Sequence, residues 1–200
     1  MFSVGRPYLP NRKKLEGYLD RIYDSCWLTN NGPLVRELEE RLAEYLGVEN
    51  LLLVANGTLA LQVAYRTLNI SGSAITTPFT FVATASSLKW QCIDPVFADI
   101  DPITLNLNPE HAENTLQTDT SAIIPVHVYG IPCNVDSFSE ISHQNNLSLI
   151  YDASHAFGVN MQGSSLLNWG DAATISFHAT KIFHTVEGGA IRFQQKDDLE

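Results

Sequence analysis

Lys181 is the residue whose setting most invites chemistry. It is one of five lysines and sits in Phe177-His178-Ala179-Thr180-Lys181-Ile182-Phe183, an apolar run with almost no other charge. An amine in such surroundings suits nucleophilic work on a carbonyl. The plain alternative is a lysine that snorkels to water. Asp152 follows the strand-like run LSLIY. A carboxylate there is partly buried and needs a cationic or N–H partner, unless it simply caps the local backbone. Asn56-Gly57-Thr58 stands between an apolar run and a helix-like stretch. Gly57 lets a ligand approach the backbone, and free N–H groups with the Thr58 hydroxyl suit a phosphate. An ordinary N-cap has the same sequence signature. Glu187-Gly188-Gly189 marks a tight turn, a close backbone approach or room for a ligand.

These parts answer the needs of one cofactor. Pyridoxal phosphate requires a lysine for covalent attachment, an acid at the pyridine nitrogen, a phosphate cup and a group stacked on the ring. Lys181, Asp152, Gly57 and Thr58 with Ser176, and Phe81 supply all four. Competing chemistries lack their motifs: there is no G-x-G-x-x-G, no G-K-[ST], no G-x-S-x-G and no H-E-x-x-H. His155, His178 and His184 with Asp152 match no compact metal-ligand spacing, so no metal site is expected.

The elements that would position these residues alternate. Strand-like runs are Leu51–Ala55, Ala74–Thr77, Pro95–Ala98, Ser121–Pro125, Leu147–Tyr151, Ala173–Ser176 and Gly189–Phe193. Helix-like stretches are Thr58–Leu68, Phe81–Trp90, Pro109–Thr115 and Val135–Asn145. Two more helices, over 12–26 and 34–46, precede the first strand, with Gly47 as a stop for the second. Strand–helix alternation predicts an α/β fold: a mainly parallel seven-stranded sheet flanked by helices. The last strand, reached without a helix, is expected to pair antiparallel. In such sheets ligands bind beyond the carboxyl ends of the strands, where Gly57, Phe81, Tyr129, Asp152 and Lys181 all fall.

Composition bounds the rest. The 200 residues carry a net charge of −10, with 44% hydrophobic and 17% charged residues. That is globular composition, and scattered basic residues argue against nucleic-acid or anionic-membrane partners. No apolar run approaches the ~20 residues of a membrane span, and no signal pattern opens the chain. Cys26, Cys92 and Cys133 form neither a zinc spacing nor a disulfide framework; three buried thiols in a cytoplasmic protein are expected.

The motifs WLTNNGP (27–33), NGTLAL (56–61), TTPFTFVAT (76–84), PVHVYG (125–130), YDASHAFG (151–158) and SFHATKIFHTVEGG (176–189) run in order through the chain. With them it resembles the DegT/StrS-type sugar-nucleotide aminotransferases of the aspartate-aminotransferase fold, closest in look to enzymes aminating C4 of a dTDP-linked 4-keto-6-deoxy sugar. The resemblance implies a pyridoxal-phosphate enzyme that moves an amino group from an amino acid, glutamate, to a nucleotide-linked keto-sugar. Lys181 would hold the cofactor and move the proton. Asp152 would pair with the pyridine nitrogen, Phe81 would stack on the ring, and His155 would lie near its phenolic oxygen. Gly57, Thr58 and Ser176 would hold the phosphate, and Thr29 and Asn31 would line the substrate mouth. A related branch carries histidine at the lysine position and dehydrates sugars; Lys181 favours transamination. Ala-Ser-His after Asp152 departs slightly from the commoner Ala-Ala-His. The resemblance also implies homodimers that share site residues and a smaller C-terminal domain. On that frame residues 1–50 are an N-terminal helical segment, 51–200 the cofactor-binding large domain, and the small domain lies outside this chain. An inactive fragment and a sugar-nucleotide sensor on the same fold are the competing expectations.

Overall fold

The computed structural model describes residues 7–195. Residues 1–6 and 196–200, the outer ends of the two expected segments, lie outside it. In chain order the elements are α1 (Arg12–Ser25), α2 (Pro33–Leu46), β1 (Leu51–Val54), α3 (Gly57–Thr67), β2 (Ser73–Thr76), α4 (Ala83–Trp90), β3 (Asp94–Phe97), α5 (Pro109–Asn114), β4 (Thr120–Ile123), α6 (Val135–Asn145), β5 (Ser148–Asp152), β6 (Asn160–Met161), β7 (Ser164–Ser165), β8 (Ala172–Ser176) and β9 (Gly189–Phe193).

The sheet has seven strands in the order β1-β9-β8-β5-β4-β2-β3. β2, β3, β4, β5 and β8 pair parallel, while β9 runs antiparallel to both β1 and β8. The antiparallel last strand is therefore as expected, but it is inserted beside β8 rather than added at an edge. The β6–β7 ribbon lies outside the sheet and was not expected: each of its strands is two residues long, too short for any alternation to show.

Both faces of the sheet are covered. Ile75, Ile123, Leu149, Tyr151, Ala173 and Ile175 pack with residues of α2, α5 and α6. Ala74, Ala122, Ile150, Ala172, Ile191 and Phe193 pack with α3 and with Leu88 of α4. Neighbouring strand residues go to opposite faces, so a strand buried on both sides reads as a continuous apolar run. Local signals place the ends. Asn56 caps α3 by accepting from the Leu59 N–H at 2.8 Å, and Gly47 ends α2 at φ 63°. α4 starts at Ala83, two residues later than the sequence predicts, which leaves Phe81 in the preceding loop.

α1 stands apart, with no buried residue. It is tied to α2 by Arg21–Glu37 at 2.7 Å and by Arg41 to the Tyr18 hydroxyl at 3.3 Å. The cysteine expectation is corrected: Cys133 is buried, but Cys26 and Cys92 are exposed. Both exposed thiols sit just after helices at φ 53° and 60°, in left-handed turns that face solvent. Among the described residues no helix is long and apolar enough to cross a membrane.

One close packing joins the sheet to the loop after β1. A Cβ on Gly189 would lie 2.6 Å from the Asn56 carbonyl carbon and 2.8 Å from the Gly57 nitrogen. Gly189→Ala is expected to destabilise the chain by about 1–3 kcal/mol, the cost of overpacking against backbone. Chemical denaturation reads this directly, and an unchanged midpoint would show that the two backbones separate freely.

Candidate active site

The carboxyl ends of β1, β2, β4, β5 and β8 converge on one cavity. Its walls include Gly57, Thr58, Thr80, Phe81, Asp152, His155 and Lys181. A wider cleft of about 360 Å³ adjoins it, sharing Thr80, Phe81 and His155 and adding Tyr129. Lys181, Asp152, Gly57, Thr58, Phe81 and His155 are thus brought together as the sequence predicts.

Asp152 ends β5 and is only 5% exposed. Its Oδ2 accepts from the Thr84 hydroxyl at 2.8 Å, and its Oδ1 accepts from the Ser154 N–H at 3.1 Å. Thr84 spends its one proton on the carboxylate, so the Thr80 hydroxyl, 2.8 Å away, donates to Thr84. A buried carboxylate is thereby supplied with donors on both oxygens.

Lys181 lies in a closed loop between β8 and β9. The loop is tied by Phe177 N–H to Gly188 O, Thr185 N–H to Phe177 O, Ala179 N–H to Val186 O and Lys181 N–H to His178 O, all at 2.8–3.0 Å. Burial lowers the Lys181 pKa below the usual lysine value, and the Asp152 charge acts against that shift. The amine is therefore neutral at lower pH than a solvated lysine. Partial burial is the largest cause lowering the His155 pKa, followed by the Lys181 charge, with Asp152 opposing both.

Gly57 and Thr58 open α3, and their N–H groups have no acceptor among the described residues. Ser176 stands against this turn: a Cβ on Gly57 would lie 2.9 Å from the Ser176 Cβ. Phe81 is 72% exposed at the cavity rim. Thr29 and Asn31 are not brought to Lys181. Thr29 lines a separate groove of about 600 Å³ between α1 and the start of α2, and Asn31 holds the Arg36 guanidinium at 3.1–3.2 Å.

The model of the DegT/DnrJ/EryC1/StrS aminotransferase family matches residues 11–199. The chain belongs to this family. It is 47% identical over 98% of its length to a dTDP-4-amino-4,6-dideoxy-D-glucose transaminase of Shigella dysenteriae, of which it covers 54%. It is 35% identical over 98% of its length to a GDP-perosamine synthase of Caulobacter vibrioides, covering 53%. A crystal structure of DesI with its TDP-sugar product superposes at a TM-score of 0.94 with 42% identity, over 98% of this chain and 50% of that one. The chain therefore spans about half the length of the relatives it matches.

Around this cavity, sequence reasoning missed Thr84, Thr80 and Ser154. The signal available was Thr84 at the end of TTPFTFVAT, one helical turn after Thr80, in a segment otherwise read for Phe81 alone. Glu187-Gly188-Gly189 resolves as a close approach: a Cβ on Gly188 would strike the Thr185 hydroxyl and come 3.3 Å from the Phe177 Cβ.

Reductive methylation of Lys181, followed against pH, is expected to reach half its limiting rate at lower pH than an unperturbed lysine. Asp152→Asn removes the opposing negative charge and should move that midpoint lower still. A midpoint at the ordinary lysine value would contradict a desolvated amine.

Proposed function

We propose that this chain is the pyridoxal-phosphate-binding part of an aminotransferase that moves an amino group from glutamate to a nucleotide-linked keto-deoxysugar. The observation that carries the reading is the half-buried Lys181 amine in one cavity with the donor-saturated Asp152 and the open N-terminus of α3. Family membership and the transaminase and sugar-nucleotide names of the relatives support it. The likeness to a dTDP-4-amino-4,6-dideoxy-D-glucose transaminase favours a dTDP-linked 4-keto-6-deoxyhexose as acceptor.

The residues present fit the cofactor. The Gly57–Ser176 contact forms a small cradle that any side chain at position 57 would fill. The unpaired Gly57 and Thr58 N–H groups and the Ser176 hydroxyl are the donor set a phosphate needs. When bound, pyridoxal phosphate supplies an aldehyde that takes up amines and a ring that draws off electrons. Lys181 would hold it through its amine and, once displaced by the incoming amine, would take and return the proton at the reacting carbon. Asp152, anchored by Thr84 and Ser154, holds a protonated ring nitrogen in place. Phe81 would cover one ring face from the rim. His155 would serve the ring oxygen. Thr29, in a different groove, and Asn31, bonded to Arg36, are proposed to serve the site of a second copy of the chain.

Mixing the protein with pyridoxal phosphate is expected to give a visible absorbance band that borohydride fixes on the Lys181 peptide. Lys181→Ala should lose the band with an unchanged far-UV spectrum. Absence of the band in folded wild-type protein would falsify the cofactor reading. Turnover of a dTDP-keto-sugar with glutamate is a separate measurement, because the chain spans only half its relatives.

Self-association belongs to the same proposal. Leu15, Tyr18, Leu19 and Tyr23 of α1 are all exposed, and Tyr23 is 81% so. Apolar surface of this extent on a helix with no buried residue favours a partner. Sedimentation is expected to show species heavier than a monomer at micromolar concentration; a clean monomer overturns this part.

A further inference from the structure

The His155 ring is held by a turn on another strand. The segment Val128–Gly130 follows β4 as a tight turn kinked at Tyr129, which sits at φ 53°, ψ 20°. That left-handed conformation is disfavoured for a residue with a Cβ and is unusual for a bulky aromatic. It persists only when the surroundings fix it. Here the Tyr129 N–H donates to His155 Nδ1 at 3.3 Å, and the Tyr129 ring lies parallel to the imidazole, 6.0 Å between centroids. Gly130, at φ 80°, presses on the same residue from behind: a Cβ there would lie 2.9 Å from the His155 carbonyl oxygen.

The turn is closed by its own backbone bonds, Gly130 N–H to His127 O at 3.1 Å and Ile131 N–H to Val128 O at 2.9 Å, and Asn106 braces it from outside. This side chain, 2% exposed, comes from the loop after β3, makes no hydrogen bond to His155 and does not line the Lys181 cavity. Its Oδ1 accepts from the Val128 N–H at 2.9 Å, and its Nδ2 donates to the Ile131 and Pro132 carbonyls at 3.0 Å each. One amide thus clamps both ends of the turn, leaving the Tyr129 N–H aimed at His155. Without this amide the Ile131 and Pro132 carbonyls lose their donor and the Val128 N–H keeps only its 3.0 Å bond to the Val126 carbonyl, so the turn loses its brace.

The direction of the Tyr129 hydrogen bond decides where the histidine proton sits. A neutral imidazole has one donor nitrogen and one acceptor nitrogen. Nδ1 is occupied as the acceptor, so the proton is on Nε2. We propose that Asn106, acting through the Val128–Gly130 turn, is a positioning residue that locks His155 as the Nε2–H tautomer, a hydrogen-bond donor toward the cavity and not a base. Depression of the His155 pKa by partial burial and the Lys181 charge agrees with a neutral ring. The consequence for the cofactor rests on the reading in the preceding subsection: a fixed Nε2–H suits an anionic ring oxygen, where a free Nε2 lone pair would repel it. The tautomer itself does not depend on that reading.

Nitrogen-15 NMR of the imidazoles in the cofactor-free protein tests the tautomer. Signals absent from His155→Gln identify His155. In wild type, its proton is expected on Nε2 with Nδ1 at the shift of a hydrogen-bonded acceptor. Asn106→Ala should collapse the two shifts toward an exchange average. Gly130→Ala, which pushes on His155 directly, should do the same and replaces Asn106→Ala if that variant fails to fold. Tyr129→Gly retains the N–H in its preferred conformation and should leave the tautomer unchanged. A wild-type His155 protonated on Nδ1, or folded Asn106→Ala and Gly130→Ala proteins with wild-type shifts, overturns the proposal. In the loaded protein, His155→Gln, which keeps a donor, should hold pyridoxal phosphate within a few-fold of wild type, and His155→Leu should weaken it at least tenfold. Equal affinities would remove the donor role. A wild-type protein that fails to bind the cofactor at all would sink the preceding reading and leave the NMR result standing.

Discussion

The close approach of three backbones, at Gly57, Ser176 and Gly189, is the constraint on which the cavity depends. β9 is inserted between β1 and β8, so its first residue lies against the turn that leaves β1. Only glycine at 189 permits the Asn56–Gly57 backbone to come this near, and only glycine at 57 permits Ser176 to follow. The result brings the N-terminus of α3 beside the end of β8. Lys181 leaves β8 five residues later, in a loop whose own hydrogen bonds close back on Phe177 and Gly188. The helix end and the lysine are therefore held by the same packing. A shift of β9 would open the donor cradle and move the amine together.

Asp152 meets the opposite requirement. Its carboxylate is nearly buried, which is tolerated only because donors reach both oxygens. The Thr80–Thr84 pair lies on the segment after β2 and Ser154 on the segment after β5, so the acid is fixed from two separate connections of the sheet. The same carboxylate raises the Lys181 pKa while burial lowers it. Burial is the larger of the two effects, so the net shift of the amine is downward.

Much of this was legible in the sequence because the signals were of type and position. An isolated lysine in an apolar run, an aspartate closing a strand and a glycine opening a helix each stand at a strand's carboxyl end, and α/β topology makes those ends converge. The seven main strands and six helices follow from apolar runs and caps such as Asn56 and Gly47. What escaped depends on contacts between distant segments. Thr84 is an ordinary threonine until Asp152 is placed beside it, 68 residues away in sequence. Asn106 resembles a loop asparagine until the Val128–Ile131 turn folds onto it. Cys26 and Cys92 look like core thiols by type, and only their left-handed turn positions expose them. The insertion of β9 inside the sheet is a matter of pairing, which no local pattern encodes. Thr29 and Asn31 were read from a motif, and motif order alone does not say which cavity a segment lines.

The acidity of the chain bears on how it could hold anions at all. With a net charge of −10, the overall field repels both a phosphate cofactor and a sugar nucleotide. Attraction must come from groups within a few ångströms, where oriented dipoles outweigh a screened distant charge. The free N–H groups of Gly57 and Thr58, the Lys181 amine and a His155 Nε2–H are such groups, and all are on one edge of one sheet. A donor works against a repulsive background only if its direction is fixed in advance, since an unanchored ring or hydroxyl would turn toward water. That is why the anchoring partners matter as much as the groups they anchor: Asn56 for the helix end, Thr84 and Ser154 for the acid, and Asn106 for the histidine.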